Sequence, residues 1–91
     1  MNKIMVEKNP GEERLRELGV SKWGIWTKEV SKFPWQYDES ETCYFLEGDV
    51  IVTPEGRKPL RIGQGDLVTF PQGMSCVWDI RKPVRKHYRF G

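Results

Sequence analysis

The residues of this 91-residue chain that could do chemistry are Glu41, a carboxylate, and three groups that could act with it, namely Cys43, Cys76 and His87. Glu41 and Cys43 are two positions apart, so on a β-strand their side chains share a face. If Glu41 faces the interior of the fold, its carboxylate is costly to bury unless it is paired or used, which makes Glu41 a candidate general acid or base. The structural alternative is a hydrogen bond to Tyr37 or a salt bridge to Arg85.

Cys76 and His87 are the other candidate groups. Cys76 could be a nucleophile if His87 or Arg85 lowered the pKa of its thiol, or it could form a redox pair with Cys43. Both cysteines could instead be small buried hydrophobic residues. His87 is the only histidine. The alternation within 84–90 favours an outward His87, whereas a two-layer fold would let it line the mouth of a pocket.

These residues lie in a chain whose pattern from position 25 onwards is almost entirely of β type. Many short strands separated by turn signals such as Pro34 and Pro83 favour a sandwich or a barrel. The pattern predicts an all-β domain over residues 1–91. The predicted strands are 25–32, 35–38, 41–47, 49–53, 58–62, 67–70, 75–80 and 84–90.

The first 24 residues follow a different pattern. Residues 3–8 alternate and predict an edge strand. Asn9 can cap a helix and Pro10 suits its first position, so we expect one short helix over about 10–18. Gly19 can end that helix, and residues 20–24 are predicted to be a loop.

Two longer spacings connect the candidate residues. Glu41 is followed by a glycine seven positions later, and sixteen residues separate that Gly48 from the next motif. The second motif reads Gly65-x5-Pro71-x-Gly73-x2-Cys76. Together they resemble the two sequence motifs of cupins over roughly residues 25–80. The resemblance is to small single-domain cupins related to the ethanolamine-utilisation and (S)-ureidoglycine aminohydrolase cupin domains, and it implies an RmlC-like jelly-roll β-barrel.

The resemblance also implies a site inside the barrel. Trp35 and Tyr37 stand where the first cupin motif has two histidines, and Cys76 stands at the histidine of the second motif. Only Glu41 keeps the type of a metal ligand. The pocket implied by the resemblance, with strand alternation, consists of Trp35, Tyr37, Glu41, Cys43, Cys76 and Trp78. His87 is a further candidate for ligand contact.

The sequence does not decide whether such a site holds a metal. Glu41 and Cys76 are the two candidate metal ligands, with Cys43 as a third and His87 as a fourth. Zinc, iron or manganese could accept a mixed set of this kind. Tryptophan cannot ligate a metal, so the site could equally be degenerate and metal-free.

Three functions follow from these observations. The first is binding of a small polar metabolite, such as a sugar, an amino compound or a ureide-like molecule. The second is a small metal- or thiol-dependent enzyme, similar to an aminohydrolase, with Glu41 and Cys76 as catalytic residues. The third is a homodimerising interaction module, for which Trp23 and Trp26 are predicted to be an exposed pair.

Composition limits the partners. The formal net charge of +2 is too small to indicate nucleic acid or a membrane surface. The basic run within 79–91 is either a solvated surface or an anion-steering one. The sequence has no apolar run near the roughly 20 residues of a membrane span and no signal-peptide pattern. We therefore expect a cytoplasmic protein with reduced thiols.

Overall fold

One antiparallel sheet of seven strands dominates the structure, a computed structural model that describes residues 3–91. A seven-residue helix and a single 3-10 turn precede most of the sheet. In chain order the elements are β1 (Met5–Lys8), α1 (Glu12–Leu18), the 3-10 turn (Val20–Lys22), β2 (Gly24–Lys28), β3 (Ser31–Gln36), β4 (Glu41–Pro54), β5 (Leu60–Gly63), β6 (Asp66–Phe70) and β7 (Ser75–Phe90).

Two long strands, β4 and β7, hold the sheet together, because they pair with each other along most of their length. The start of β4 also pairs with β6, and β6 pairs with β1. The end of β7 pairs with β2, which completes a larger half of five strands. The end of β4 pairs with β5 and the start of β7 pairs with β3, and these segments form a smaller half.

A bulge in β4 marks the boundary between the two halves. The register with β7 shifts three times between Phe45 and Val50. As a consequence the buried side chains are at odd positions before the bulge, as in Cys43 and Phe45, and at even positions after it. Gly48 lies in the bulge with φ of 131°, a conformation that favours glycine. The bulge lets one continuous strand direct both of its ends into a common core.

The two halves face each other across that core. Trp78, on the smaller half, packs against the rings of Trp26, Phe45 and Phe70 on the larger half, with centroid separations of 5.9, 6.2 and 5.7 Å. The fully buried side chains around these rings include Val50, Val52, Ile62, Val68 and Ile80. A small chain obtains much of its core from aromatic residues because each buries a large area.

The N-terminal prediction is confirmed in part. β1 is an edge strand, and α1 ends at Gly19, which has a left-handed conformation. The predicted helix start is wrong, since α1 begins at Glu12 after Gly11. Asn9 has a positive φ of 46° and its N–H donates to the Gly65 carbonyl, so it joins β1 to the sheet and does not cap the helix. Within residues 3–91, no helix has the length and apolar character to cross a membrane.

Several predicted strand boundaries are also wrong. The run 25–32 is divided between β2 and β3, and the predicted loop 20–24 contains the 3-10 turn. The runs 75–80 and 84–90 form one strand, and Pro83 lies within it. Pro83 has no partner in the β4–β7 register, which passes from Asp49–Lys82 to Glu47–Arg85. A proline is tolerated there because it lacks the N–H that a regular ladder position needs.

Candidate functional site

An aromatic cavity lies between the two sheet halves, with a volume of about 180 Å³. An engineered protein cavity of about 150 Å³ is large enough to bind benzene, so this one has the size of a single ring. Seven aromatic side chains and one ion pair enclose it. The lining residues are Trp26, Phe33, Trp35, Tyr37, Glu41, Trp78, Lys86, Tyr88 and Phe90.

Strand alternation explains how β7 supplies most of this lining. Its even-numbered residues point to one face, which places Trp78, Lys86 and Tyr88 on the same side of the sheet. The neighbouring strands add the remaining walls in register. Trp26 of β2 pairs with Lys86, and Phe33 of β3 pairs with Trp78.

Three polar side chains meet at the base of the aromatic cavity and form a buried triad, defined as Glu41, Cys43 and Lys86. The Lys86 ammonium donates to Glu41 Oε2 at 2.7 Å and to Cys43 Sγ at 3.0 Å. The Cys43 thiol donates to the same Glu41 oxygen at 3.0 Å. Glu41 and Lys86 are 5% and 4% exposed. Each charge is therefore neutralised by a hydrogen-bonded partner, as a buried ion requires.

The Lys86 ammonium also lies against two indole rings, with centroid distances of 5.0 Å to Trp26 and 5.1 Å to Trp78. Such contacts stabilise a cation through the ring quadrupole. Burial lowers the pKa of Lys86, but the neighbouring Cys43 and Glu41 outweigh it and the net pKa is raised. Lys86 is therefore a fixed positive charge at neutral pH.

Cys43 supports the triad and does not line the aromatic cavity. Its side chain is fully buried, and burial raises the pKa of its thiol to about 12 despite the opposing charge of Lys86. A thiol, a carboxylate and an ammonium are the groups that a thiol hydrolase needs, but the nucleophile must be a thiolate that reaches its substrate. The geometry assigns Cys43 the role of holding Glu41 and Lys86 in place.

Glu41 has one oxygen left for a ligand. Oε2 accepts both hydrogen bonds within the buried triad, and Oε1 makes none with any other residue in 3–91. In the same part of the chain no side-chain oxygen or nitrogen is both fully buried and without a partner. Glu41 Oε1 is therefore not fully buried, and Glu41 is one of the residues that line the cavity.

The predicted alternatives for Glu41 are wrong. The Tyr37 hydroxyl accepts a hydrogen bond from Trp78 Nε1 at 3.2 Å, and its ring stacks on Phe70 at 4.9 Å. Burial, followed by the charge of Glu41, raises the pKa of Tyr37. Arg85 lies on the opposite face of β7, 3.9 Å from Glu47. The partner that Glu41 needs is Lys86, one position away from the predicted arginine.

Cys76 and His87 do not join the other predicted site residues at the cavity. Cys76 is buried at the start of β7 and borders an open groove beside Pro54; burial raises the pKa of its thiol to about 11. His87 lies on the outer face of β7, where its Nδ1 is 3.4 Å from the Trp23 carbonyl oxygen. Both cysteines are free thiols.

The residues present do not fit a divalent metal. Within residues 3–91, no three side chains of the His, Cys, Asp and Glu types are arranged to hold a metal ion. Glu41 is the one candidate ligand that keeps the residue type of the cupin motif, and the position beside its carboxylate is occupied by the Lys86 ammonium. A second cation there would be repelled by Lys86.

Trp23 and Trp26 are not an exposed pair, so that prediction is wrong. Both are half-buried. Trp26 lines the aromatic cavity, whereas Trp23 lies outside it beneath Arg89, whose guanidinium carbon is 4.8 Å from the ring centroid. The two tryptophans therefore have different environments although they are three positions apart.

Lys86 is the polar site residue that sequence reasoning missed, and four aromatic lining residues were also absent from the predicted pocket, namely Trp26, Phe33, Tyr88 and Phe90. The signal was present, because Lys86 is the one charged residue on the face formed by Val84, Tyr88 and Phe90. An inward carboxylate such as Glu41 also requires a buried cation or donor. What the sequence could not show was that β4 and β7 are adjacent at these positions.

Antiparallel strands folded into two facing halves around an aromatic cavity define a small cupin. The chain belongs to the EutQ-like cupin domain family, whose model matches residues 15–88. The resemblance inferred from the two motifs is thus confirmed.

Solved structures agree with this assignment. A DUF861 family protein from Thermotoga maritima is 54% identical, with a TM-score of 0.94 over 98% of this chain and 100% of that one. A DUF861 family protein from Pseudomonas syringae is 28% identical over 75% of this chain and 29% of that one, with a TM-score of 0.68. The EutQ protein of Clostridium difficile, 16% identical over 98% of this chain and 68% of that one, shares the fold with a TM-score of 0.66. No curated protein matches this chain.

Proposed function

We propose that this protein binds a small polar molecule of single-ring size in the aromatic cavity. The observation that carries the proposal is the combination of seven aromatic walls with one ion pair at the base of a 180 Å³ space. Ligand sites are typically apolar cavities in which a few polar groups fix the orientation of the ligand. Here the aromatic side chains would cover the faces of the ring, and Glu41 and Lys86 would contact its polar edge.

The mouth of the cavity supports access by a ligand. Trp35 and Phe90 line it and are 46% and 53% exposed. Large apolar side chains at the surface are most informative when they are adjacent to a concave site. In this position they would lose further exposure when a ligand enters, which adds apolar contact without any rearrangement of the core.

An enzymatic role is supported by one observation only, the accessible oxygen of Glu41, which could exchange a proton with a bound molecule. The proposed nucleophile Cys76 borders another part of the surface, and the Cys43 thiol is enclosed. Binding therefore remains the function that the geometry supports best, with Glu41 as a contact residue.

The test is a titration of nitrogen-15-labelled protein with three ring-sized probes, namely phenol, cyclohexanone and 2-piperidone. We expect at least one probe to shift the indole N–H signals of Trp26 and Trp78 at millimolar concentration, because both rings line the cavity. A Trp26→Phe variant should weaken that binding about tenfold, since it removes ring area and a contact with the Lys86 ammonium.

Trp23→Phe is the matched control, because Trp23 lies outside the aromatic cavity. Its affinity for the same probe should stay within about twofold of the unchanged protein. The proposal is overturned if no probe shifts the cavity signals, or if Trp23→Phe and Trp26→Phe weaken binding equally.

A further inference from the structure

We infer that the ligand class of this cavity is a neutral cyclic secondary amide, whose N–H and C=O groups lie side by side on one edge of a ring. The inference rests on the proposed function, because it concerns the same site. It is carried by one hydrogen-bond acceptor, Glu41 Oε1, and one donor, the remaining N–H of Lys86, which lie next to each other at the base of the cavity.

The donor is what remains after the contacts of the buried triad are counted. A lysine ammonium has three N–H groups. In Lys86 one donates to Glu41 and one to Cys43. The third makes no hydrogen bond to another residue in the part of the chain that the structure describes, and its nearest neighbours are the rings of Trp26 and Trp78, which line the cavity together with Lys86. A carbonyl oxygen of a ligand would satisfy it.

The acceptor is Glu41 Oε1, which is not fully buried, has no partner among residues 3–91 and belongs to a residue that lines the cavity. It belongs to the carboxylate whose other oxygen lies 2.7 Å from the Lys86 ammonium. Donor and acceptor are therefore neighbours. A ligand that uses both must present its own acceptor and donor on the same edge.

A ring is what gives an amide this geometry. An open-chain secondary amide strongly prefers the trans form, which directs N–H and C=O to opposite sides. A small ring forces the amide to be cis, so both groups point the same way. The single-ring volume and the aromatic walls fit the rest of such a molecule.

Charge favours a neutral ligand. Glu41 and Lys86 neutralise each other, and the other polar groups beside them, Tyr37 and Cys43, have raised pKa values and are uncharged at neutral pH. A charged ligand would bring an uncompensated charge into an enclosed apolar space, which is costly. A neutral amide would satisfy both free groups without changing the net charge.

The experiment compares the affinities of four probes for the unchanged protein by the same nitrogen-15 titration. We expect 2-piperidone to bind at least tenfold more tightly than cyclohexanone, which has the same ring size and carbonyl but no N–H. N-methyl-2-piperidone should also bind at least tenfold more weakly than 2-piperidone, because a methyl group replaces the amide hydrogen that would be donated to Glu41. N-methylacetamide, which is trans, should bind more weakly than 2-piperidone by a similar factor.

The outcomes separate this inference from the proposed function. Equal binding of 2-piperidone and cyclohexanone would overturn the inference and leave ring binding intact. Equal binding of N-methylacetamide and 2-piperidone would also overturn it, whereas failure of every ring to bind would overturn both. As a further check, Lys86→Met should bring the ratio of the affinities for 2-piperidone and cyclohexanone close to one. If that variant does not fold, the comparison of the four probes on the unchanged protein still decides.

Discussion

At the scale of single residues, the buried triad shows how an inward carboxylate is retained without a metal-binding set. Without a partner Glu41 would destabilise the folded state, because apolar neighbours do not offset the free-energy cost of desolvating a carboxylate. Lys86 and Cys43 each donate to it, and two indole rings lie beside the ammonium. The triad therefore combines charge neutralisation with a fixed orientation of the groups that face the cavity.

This arrangement leads to a stability prediction for the buried pair. Glu41→Gln and Lys86→Met should each lower the free energy of unfolding by about 3–5 kcal/mol, because each leaves a buried partner without its counter-charge. The double variant should lose clearly less than the sum of the two, since it leaves no isolated charge. Urea unfolding of the four proteins measures the coupling.

The surface pair of Glu7 and Arg14 is a suitable control for that cycle. Its side chains are 42% and 47% exposed, so solvent screens their attraction. We expect Glu7→Gln and Arg14→Met to show almost no coupling. Additive losses at Glu41 and Lys86 would contradict the assignment of the two as an ion pair.

At the scale of elements, the bulge in β4 decides which residues of the strand face inward. Gly48 and Gly63 are in close contact there. A Cβ atom on Gly63 would lie 2.6 Å from the Gly48 carbonyl oxygen, which belongs to the backbone and cannot move away as a flexible side chain could. The same oxygen accepts a hydrogen bond from the Gln64 N–H at 3.1 Å. β5 is thus fixed against the bulge.

Gly63→Ala should consequently be strongly destabilising, by about 3 kcal/mol or more, because steric strain in a packed region is not relieved by a rotamer change. Thermal and urea unfolding measure the loss. Gly56→Ala is the control: its position is left-handed with φ of 73° but has open space around it, so we expect a cost nearer 1–2 kcal/mol. A smaller loss for Gly63→Ala than for Gly56→Ala would show that β5 can separate from the bulge.

At the scale of the whole molecule, burial raises the pKa values of three groups that lose a proton at high pH, namely Tyr37, Cys43 and Cys76. Burial raises the pKa of Cys43 from 9.0 to about 12 and that of Cys76 to about 11. Tyr37 is raised as well. Above about pH 9 the folded protein retains protons that the unfolded chain releases. Linkage then requires the free energy of unfolding to fall as the pH rises.

We expect stability to be nearly constant around neutral pH and to decline from about pH 9 upwards. Between the ordinary thiol pKa and its folded value, Cys43 contributes a slope of up to about 1.4 kcal/mol per pH unit. Urea unfolding at pH 7, 9, 10 and 11 measures the profile. In Cys43→Ala the free energy of unfolding should decline less steeply with pH over the same range. An identical slope in this variant would contradict the enclosed position of the thiol.

Much of the fold and part of the site could be predicted from the sequence. Periodicity and turn residues identified the β-type runs, and the spacings after Glu41 and Gly65 identified the cupin motifs, because these depend on local backbone geometry and strand alternation. The inward position of Glu41 and the aromatic character of the cavity were implied by the resemblance to cupins. Trp35, Tyr37 and Trp78 line the cavity, and their contact with a ligand stays a prediction.

Only the tertiary structure decided which groups meet. Pairing of β4 with β7 brought Lys86 to Glu41 and Cys43, while Cys76 and His87 were left outside the aromatic cavity. It also placed Trp26 in the cavity wall and kept Trp23 out. The physical reason is that alternation fixes the face of a residue within its own strand, whereas the partner across the sheet depends on register and on the bulge, which are set by contacts distant in sequence.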